Sequence, residues 1–329
     1  MVCNSICEIK KLYIELTSYC NFNCSMCFRN SWFDEKNGYM SDELIDKLLY
    51  DIGYIDSIDT ITLAGMGEPL LHQKVVDIIR FLNKMGKNTQ IITNASLLNE
   101  EISRELISSG LTQLWVSADD LHIKTTKNRF NDVMQNILNF NKIRMNKCAL
   151  GLTFVLESIN ENELKRINET ADFFGADEIN ISQIIPSKPI DKYSYRDNIS
   201  IGKMKRIEIV QKSCQNYCPF IESGSCFVKW NGNVVPCMQL LHNSYTYLYQ
   251  EKRKVWSHSF GNILYENVNE IWSSKDYTEF RERVHNFDFP NCTLCDGCDD
   301  RKENKTDCLF NNAPTCGACL WAQNIAICP

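Results

Sequence analysis

Cysteine is the residue type whose number and placement could do chemistry in this sequence, because 17 of the 329 residues are cysteines. In a reducing compartment, such a content indicates metal ligation or thiol chemistry rather than a disulfide framework. Only Cys3, Cys7 and Cys148 lie outside three groups. The groups are Cys20, Cys24 and Cys27; Cys214, Cys218, Cys226 and Cys237; and Cys292, Cys295, Cys298, Cys308, Cys316, Cys319 and Cys328.

The first group has the spacing Cys20-x3-Cys24-x2-Cys27, which puts three thiols on one short segment. Thiolate sulfur is a soft ligand that suits iron–sulfur clusters. Three protein ligands leave one iron of a four-iron cluster open, and an open iron can hold and cleave a small molecule. A zinc loop is the alternative, but it needs a fourth ligand nearby. No histidine lies between Cys27 and His72.

The elements that must position this segment alternate between strand-like and amphipathic helical runs, which predicts a parallel α/β sheet with right-handed crossovers. The predicted strands are residues 12–16, 60–64, 89–93, 113–118, 149–156 and 178–185, and the predicted helices are residues 41–52, 73–85, 99–109, 129–146 and 160–174. Ser41, Asn99 and Asn160 are the predicted N-caps. Because a complete barrel has eight strands, we expect a partial, open (β/α)6 TIM-like barrel, with a doubly wound sheet as the alternative. The first cysteine group then lies at the carboxyl end of the first strand, where such sheets place their sites.

A break in this pattern at residues 186–200 predicts a domain boundary. We expect a barrel domain over residues 1–200 and a cysteine-rich domain over 201–329, which begins with a helix at 202–212. The second domain is rich in turns and poor in long apolar segments, so we expect its fold to depend on bound metal.

Composition excludes several classes of protein. The net charge of −6, with no basic block, argues against nucleic-acid binding. No apolar run reaches the roughly 18 residues of a membrane helix, and the segment from Met1 to Leu12 has no apolar core of a secretory signal. We therefore expect a cytoplasmic protein with no membrane partner.

The cysteine loop after the first strand resembles the signature of the radical S-adenosylmethionine (SAM) superfamily. The resemblance implies a 4Fe–4S cluster whose open iron binds SAM, and reductive cleavage of SAM to a 5'-deoxyadenosyl radical. The superfamily's Gly-Gly-Glu-Pro motif corresponds to Met66-Gly67-Glu68-Pro69, with Gly65 preceding it. This implies SAM contacts at Gly65, Met66, Gly67 and Glu68. Met26 stands where an aromatic residue usually covers the adenine, and its polarizable thioether could fill that role.

Further residues at strand ends extend the resemblance to SAM-binding positions. Ser117 and Arg129 match a pair that holds the ribose and the carboxylate of SAM in relatives that modify proteins. Asn94 comes directly after the third predicted strand and is expected to face the same SAM site. Ile184, near the end of the sixth strand, is a candidate for packing against the adenine. Turn capping is the alternative role for Ser117 and Asn94, and an exposed surface position is the alternative for Arg129.

The later cysteine groups resemble the SPASM extension, which carries auxiliary iron–sulfur clusters. Its glycine-x4-cysteine hallmark is Gly232 to Cys237, and residues 260–272 (FGNILYENVNEIW) are typical of its linker. The resemblance implies one cluster on Cys218, Cys226, Cys237 and Cys308. It implies another on Cys292, Cys295, Cys298 and one of Cys316, Cys319 or Cys328. The alternative for the last group is a zinc ribbon, because Cys292-x2-Cys295 and Cys316-x2-Cys319 have suitable spacing.

A radical SAM enzyme is favoured over two other classes. A ferredoxin-like electron carrier needs neither the barrel nor the Gly-Glu-Pro motif, and a zinc-stabilised binding module does not need the open three-cysteine site. The front segment KLYIELTSYCNFNCSMCFRNSW and the tail DCLFNNAPTCGACLWAQNIAICP resemble the proposed maturases of tungsten-cofactor oxidoreductases.

That resemblance implies a protein, peptide or cofactor substrate, with a tungsten-dependent aldehyde oxidoreductase-like protein as target. It also implies an electron donor such as ferredoxin or flavodoxin. A sulfatase-type maturase or a thioether-forming peptide enzyme is the alternative. Sulfatase maturases carry an aspartate directly after the glycine-x4-cysteine cysteine, where this chain has Met238. No catalytic base is predicted.

Overall fold

The computed structural model describes residues 5–119, 131–157, 159–189 and 216–328. The first part alternates strands and helices in chain order. These are β1 (Lys11–Ile14), α1 (Asp42–Ile52), β2 (Thr60–Leu63), α2 (Val75–Lys84), β3 (Asn88–Thr93), α3 (Glu100–Ser108), β4 (Gln113–Ser117), α4 (Asn131–Arg144), β5 (Ala149–Leu156), α5 (Glu161–Phe174) and β6 (Glu178–Gln183). Each predicted element of this part therefore exists, with ends that differ from the prediction by at most two residues.

The six strands form one parallel series in the order β1-β2-β3-β4-β5-β6. All their carboxyl ends therefore meet at one edge of the sheet, which is where the cysteine loop begins. The predicted partial α/β barrel core is confirmed.

Local sequence explains where the helices begin. Ser41, Asn99 and Asn160 each accept a hydrogen bond from a backbone N–H in the first turn of α1, α3 and α5, as predicted. The apolar stripe of α1, including Leu44, Ile45, Leu48 and Ile52, is buried against the sheet.

The C-terminal part extends the same sheet beyond β1. Its elements are α6 (Pro219–Glu222), β7 (Ser225–Val228), β8 (Asn233–Val235), β9 (Ser244–Leu248), β10 (Glu251–Val255), β11 (Gly261–Asn262), α7 (Val268–Ser273) and α8 (Lys275–Asn286). Strand β7 pairs in parallel with β1, and β8 and β11 follow it antiparallel. The predicted domains are therefore joined by strand pairing, and the predicted helix over 202–212 lies outside the described residues.

The C-terminal tail returns to the opposite side of the sheet. The backbone N–H of Gln183, at the end of β6, donates to the carbonyl of Ile327 at 3.0 Å. The Gln183 side chain in turn accepts from the N–H of Ile327 at 3.1 Å. The cysteine-rich tail thus contacts β6, the strand at the other edge of the sheet. Among the described residues, no helix is both long and apolar enough to cross a membrane.

Candidate iron–sulfur and S-adenosylmethionine sites

Cys20, Cys24 and Cys27 lie together on the loop that leaves β1, called here the cysteine loop (Cys20–Cys27). The loop folds back on itself, because the N–H of Cys27 donates to the carbonyl of Cys24 at 3.1 Å. The Asn30 side chain donates to the same carbonyl at 2.9 Å. All three thiols are partly buried. Burial raises the pKa of the Cys27 thiol, and the nearby Cys20 raises it further, whereas Arg29 lowers it. The turn from Cys24 to Cys27 is therefore fixed by backbone and side-chain hydrogen bonds, and Cys20 lies near Cys27.

Hydrogen-bond donors surround the sulfur of Cys20. The backbone N–H of Phe22 lies 3.4 Å from Cys20 Sγ, and the side-chain amide of Asn94 lies 3.7 Å from it. Asn94 also donates to the side-chain oxygen of Asn21 at 3.0 Å. Such donors stabilise negative charge on ligand sulfur. The predicted site residue Asn94 is thereby brought against the cysteine loop.

The Gly-Glu-Pro loop (residues 65–69) follows β2 and is held in place by Glu68. This carboxylate is 2% exposed. It accepts hydrogen bonds from the Thr93 hydroxyl at 2.7 Å and the N–H groups of Asn94 and Leu70 at 2.8 and 3.0 Å. Burial raises the pKa of Glu68, and these three hydrogen bonds oppose the shift. Because three protein donors occupy the carboxylate, Glu68 fixes the loop to β3 rather than reaching outward.

Backbone packing explains the glycines of this loop. A Cβ on Gly67 would lie 2.1 Å from the carbonyl oxygen of Thr17. A Cβ on Gly65 would lie 2.5 Å from Cγ of Glu15. The N–H of Glu68 also donates to the carbonyl of Tyr19, next to Cys20, at 2.8 Å. The Gly-Glu-Pro loop and the cysteine loop are therefore packed directly on each other.

The other predicted SAM contacts lie at the same edge of the sheet or outside the described residues. Ser117 is exposed at the carboxyl end of β4, and Ile184 is partly buried just after β6. Met26 is partly buried within the cysteine loop. Arg129 lies outside the described residues. Ser117 and Ile184 therefore lie at the carboxyl edge of the sheet, the edge from which the cysteine loop also begins.

Five cysteines line one largely apolar cavity in the C-terminal part and form what is called here the inner cysteine group. Burial, with a smaller effect of the nearby Cys319, raises the pKa of Cys218 to about 12. Aromatic residues Phe220 and Trp321 line the same cavity. The inner cysteine group is Cys218, Cys237, Cys316, Cys319 and Cys328.

A second set, the outer cysteine group, comprises Cys292, Cys295 and Cys308. The pKa of Cys292 is raised to about 11. Burial is the main cause, the thiolates of Cys295 and Cys308 also raise it, and Arg253 lowers it. Cys295 and Cys308 are exposed, and Cys298, three residues after Cys295, is partly buried. The N–H of Cys292 donates to the carbonyl of Gly317 at 3.1 Å. The outer group therefore adjoins the tail segment that carries Cys316 and Cys319.

Arg253 of β10 lies near both cysteine groups, a position that no sequence motif indicates. It is 4% exposed and lines the cavity of the inner group. Its guanidinium donates to the carbonyls of Arg301 and Glu303 at 2.8 and 3.2 Å. Burial lowers its pKa, and the charges of Cys319, Cys292 and Cys316 oppose that shift. A buried positive charge is thus placed beside both groups.

The structure places two cysteines of one predicted cluster apart from the other two. Side chains alternate between the faces of a strand, and on β7 it is Phe227 that packs with Cys218 and Cys237. Cys226 therefore points to the other face, where it is fully buried near Tyr277 and Arg281. Cys308 lies near Cys292 instead of near Cys218 and Cys237. The predicted set of Cys218, Cys226, Cys237 and Cys308 is not brought together.

Sequence comparison identifies a domain in each part of the chain. Residues 14–171 match the radical SAM superfamily, and residues 218–299 match SPASM, an iron–sulfur cluster-binding domain. A relative from Pyrococcus furiosus is 30% identical over 98% of this chain and 97% of its own length. The chain belongs to the radical SAM superfamily. This radical SAM relative is described as a tungsten-containing aldehyde ferredoxin oxidoreductase cofactor-modifying protein.

Solved structures of radical SAM proteins share the fold. Native anSMEcpe with bound AdoMet is 17% identical, covers 83% of each chain and has a TM-score of 0.59. Streptococcus suis SuiB bound to S-adenosylmethionine is 16% identical, covers 84% of this chain and 68% of its own, and has a TM-score of 0.58. The radical SAM/SPASM architecture, an α/β core followed by a cysteine-rich domain, is therefore established for this enzyme.

The residues present fit the groups that a radical SAM/SPASM enzyme uses, namely SAM, a 4Fe–4S cluster in the core and auxiliary iron–sulfur clusters in the SPASM domain. The cysteine loop offers three soft donors with N–H groups aimed at Cys20, the chemistry that a 4Fe–4S cluster requires. Gly67 lets the Gly-Glu-Pro loop pack directly on the backbone of Thr17 and Tyr19, beside that donor set. The inner cysteine group offers more than the four thiols that a cluster takes.

Proposed function

We propose that this radical SAM enzyme matures a tungsten-dependent aldehyde oxidoreductase by modifying its cofactor or protein. The observation that carries the proposal is the near full-length similarity to the Pyrococcus furiosus cofactor-modifying protein, which includes both the core and the cysteine-rich tail. Similarity limited to the barrel would support only the common chemistry of the superfamily. Here the whole architecture is shared.

The cysteine loop supplies Cys20, Cys24 and Cys27 as ligands of the first cluster. When bound, this cluster delivers the electron that cleaves SAM reductively. Phe22 and Asn94 donate hydrogen bonds to Cys20, and Glu68 holds the Gly-Glu-Pro loop against the cysteine loop. The backbone of residues 65–67 then presents its polar groups to the methionine end of SAM. Met26, Ser117, Arg129 and Ile184 are proposed contacts to the rest of the molecule.

Auxiliary clusters occupy the two cysteine groups of the C-terminal part in this proposal. Four thiols of the inner group bind one cluster, and Cys292, Cys295 and Cys308 bind the other together with Cys298. A ferredoxin or flavodoxin supplies electrons. Because Cys295 and Cys308 are exposed, the outer group is the proposed point at which such a donor delivers its electrons.

Modification of a peptide, as in a sulfatase-type maturase or a thioether-forming enzyme, is the second candidate. The fold shared with anSMEcpe and SuiB is compatible with it. At 17% and 16% identity, however, those likenesses concern the fold alone. Met238 after Cys237 also departs from the aspartate of sulfatase maturases.

The test is to express a tungsten-dependent aldehyde oxidoreductase with this enzyme or with its Cys24→Ala variant. The oxidoreductase and its extracted cofactor are then compared by mass and by activity. We expect a mass change and full activity only with the intact enzyme. A fully active oxidoreductase of identical mass in both backgrounds would refute the tungsten proposal and leave the radical SAM chemistry untouched.

A further inference from the structure

Four charged side chains form a buried network between the end of β1 and the C-terminal part. His242 and Glu15 are 1% and 2% exposed, and Lys229 is 6% exposed. The Glu35 side chain is 7% exposed. Two acids and two bases give this buried tetrad (Glu15, Glu35, Lys229, His242) no net charge when all four are ionised. Buried charges persist when they are paired in this way.

His242 is the centre of the buried tetrad. Its Nε2 lies 2.9 and 3.1 Å from the two carboxylate oxygens of Glu15. Its Nδ1 lies 2.9 Å from Glu35. A neutral imidazole has only one N–H donor, whereas the cation has two. Two carboxylate partners therefore assign the doubly protonated ring to His242. Burial opposes this charge, but the hydrogen bonds to Glu15 and Glu35 raise the pKa of His242.

The far side of the tetrad is anchored equally well. Lys229 donates to Glu35 at 2.8 Å, and so does the backbone N–H of Asn243. The ring of Trp32 stacks on His242 with centroids 3.9 Å apart. Trp32 and Glu35 follow the cysteine loop in the chain, whereas Lys229 and His242 come from the C-terminal part. Both parts of the enzyme thus contribute to one rigid unit.

Glu15 connects this unit to the Gly-Glu-Pro loop. One of its carboxylate oxygens accepts the backbone N–H of Met66 at 3.0 Å. Its side chain also lies directly under Gly65, where a Cβ would come within 2.5 Å of it. Any rotation of the Glu15 carboxylate would remove the support of this loop. His242 prevents that rotation by binding both oxygens.

We propose that Glu15 and His242 are positioning residues for SAM, because the buried tetrad fixes the backbone of the Gly-Glu-Pro loop from below. The C-terminal part thereby contributes to SAM binding without touching SAM. This inference rests on the proposed role of the Gly-Glu-Pro loop in holding SAM, and it is independent of the tungsten substrate. Substitution of Glu15 or His242 should therefore change the affinity for SAM more than it changes the iron content.

The experiment measures SAM affinity by equilibrium dialysis with anaerobically iron-loaded protein. Glu15→Leu removes the acceptor of the Met66 N–H, and we expect binding to weaken about tenfold, which is the worth of one well-placed hydrogen bond. Glu15→Gln retains an acceptor oxygen and should lose less affinity than Glu15→Leu. His258→Gln is the matched control, because His258 also lies in the C-terminal part but packs edge-on against Phe260.

Histidine NMR of the loaded wild-type protein gives a second readout that does not depend on any variant folding. We expect His242 to titrate above the ordinary value of 6.5, and to titrate lower in Glu15→Gln, where one carboxylate partner is gone. A His242 that titrates at or below the ordinary value in the wild type would overturn the inference. Wild-type affinity in a folded Glu15→Leu variant would also overturn it. Failure of the wild type itself to bind SAM would instead refute the proposed function.

Discussion

The side-chain amide of Asn94 lies 3.7 Å from Sγ of Cys20, although 74 positions separate the two residues in the chain. The contact exists because the carboxyl ends of β1 and β3 meet at the same edge of the sheet. Hydrogen bonds to ligand sulfur stabilise the more negative, reduced state of a cluster. Replacing Asn94 by leucine should therefore lower the reduction potential of the first cluster.

An anaerobic redox titration followed by electron paramagnetic resonance measures this potential. Ser108→Ala is a suitable control, because Ser108 is an exposed residue at the end of α3, away from the cysteine loop. An unchanged potential in Asn94→Leu would show that the amide does not act on the cluster.

Cys226 and Cys237 should behave differently, although both belong to the second cysteine group of the sequence. Cys237 lines the cavity of the inner cysteine group, whereas Cys226 points into the hydrophobic core. Cys237→Ala should lose iron, up to about four per chain, the content of one cluster. Cys226→Ala should keep all of its iron and lose only stability, by roughly 1 kcal/mol for a small buried side chain. Iron analysis and denaturant unfolding measure the two effects, and equal iron loss would restore Cys226 as a ligand.

Arg253 should raise the reduction potential of both auxiliary clusters, because a buried positive charge favours the reduced state. Arg253→Met keeps an unbranched apolar side chain and removes the charge, so both potentials should fall. Lys252→Met, at the neighbouring position on β10, is the control, because Lys252 packs over the ring of Tyr245 instead. Potentials that move equally in the two variants would argue against a specific effect of Arg253.

Much of the core could be predicted from the sequence. Helix starts depend on local capping groups such as Ser41 and Asn99, and strands on short apolar runs, so both are encoded by near neighbours in the chain. The positions of the cysteine loop and the Gly-Glu-Pro loop then follow from the parallel order of the strands. These are the features that the structure reproduces with little change.

The cysteine groups and the buried tetrad could not be predicted in the same way. Glu15 and His242 are 227 positions apart, and no periodic pattern indicates that they meet. The tail has few regular elements, so its cysteine contacts depend on long-range packing. Side chains alternate between the two faces of β7, and only the structure shows that Phe227, and not Cys226, is on the face toward Cys218 and Cys237.

Glu35 should make the free energy of unfolding of this enzyme decrease at acid pH. Burial alone would raise the pKa of Glu35, but hydrogen bonds from His242, Asn243 and Lys229 lower it from 4.5 to about 2. A carboxylate whose pKa is lowered by folding stabilises the fold fully at pH values above the pKa that it has in the unfolded chain. This contribution is lost as the pH falls toward the folded-state pKa of about 2. As the pH is lowered from 4.5 to about 2, the free energy of unfolding should fall more steeply for the wild type than for Glu35→Gln. Parallel curves in denaturant titrations across this range would contradict the assignment.

The most direct test of the whole account is the production of 5'-deoxyadenosine from SAM by anaerobically reconstituted protein with a strong reductant. The wild type should hold about twelve irons per chain, four for each of three clusters, and should release 5'-deoxyadenosine. Cys20→Ala should retain roughly two thirds of the iron and release none, whereas Cys7→Ser, at an exposed cysteine outside the groups, should match the wild type. A Cys20→Ala variant that still cleaves SAM reductively would contradict the central assignment.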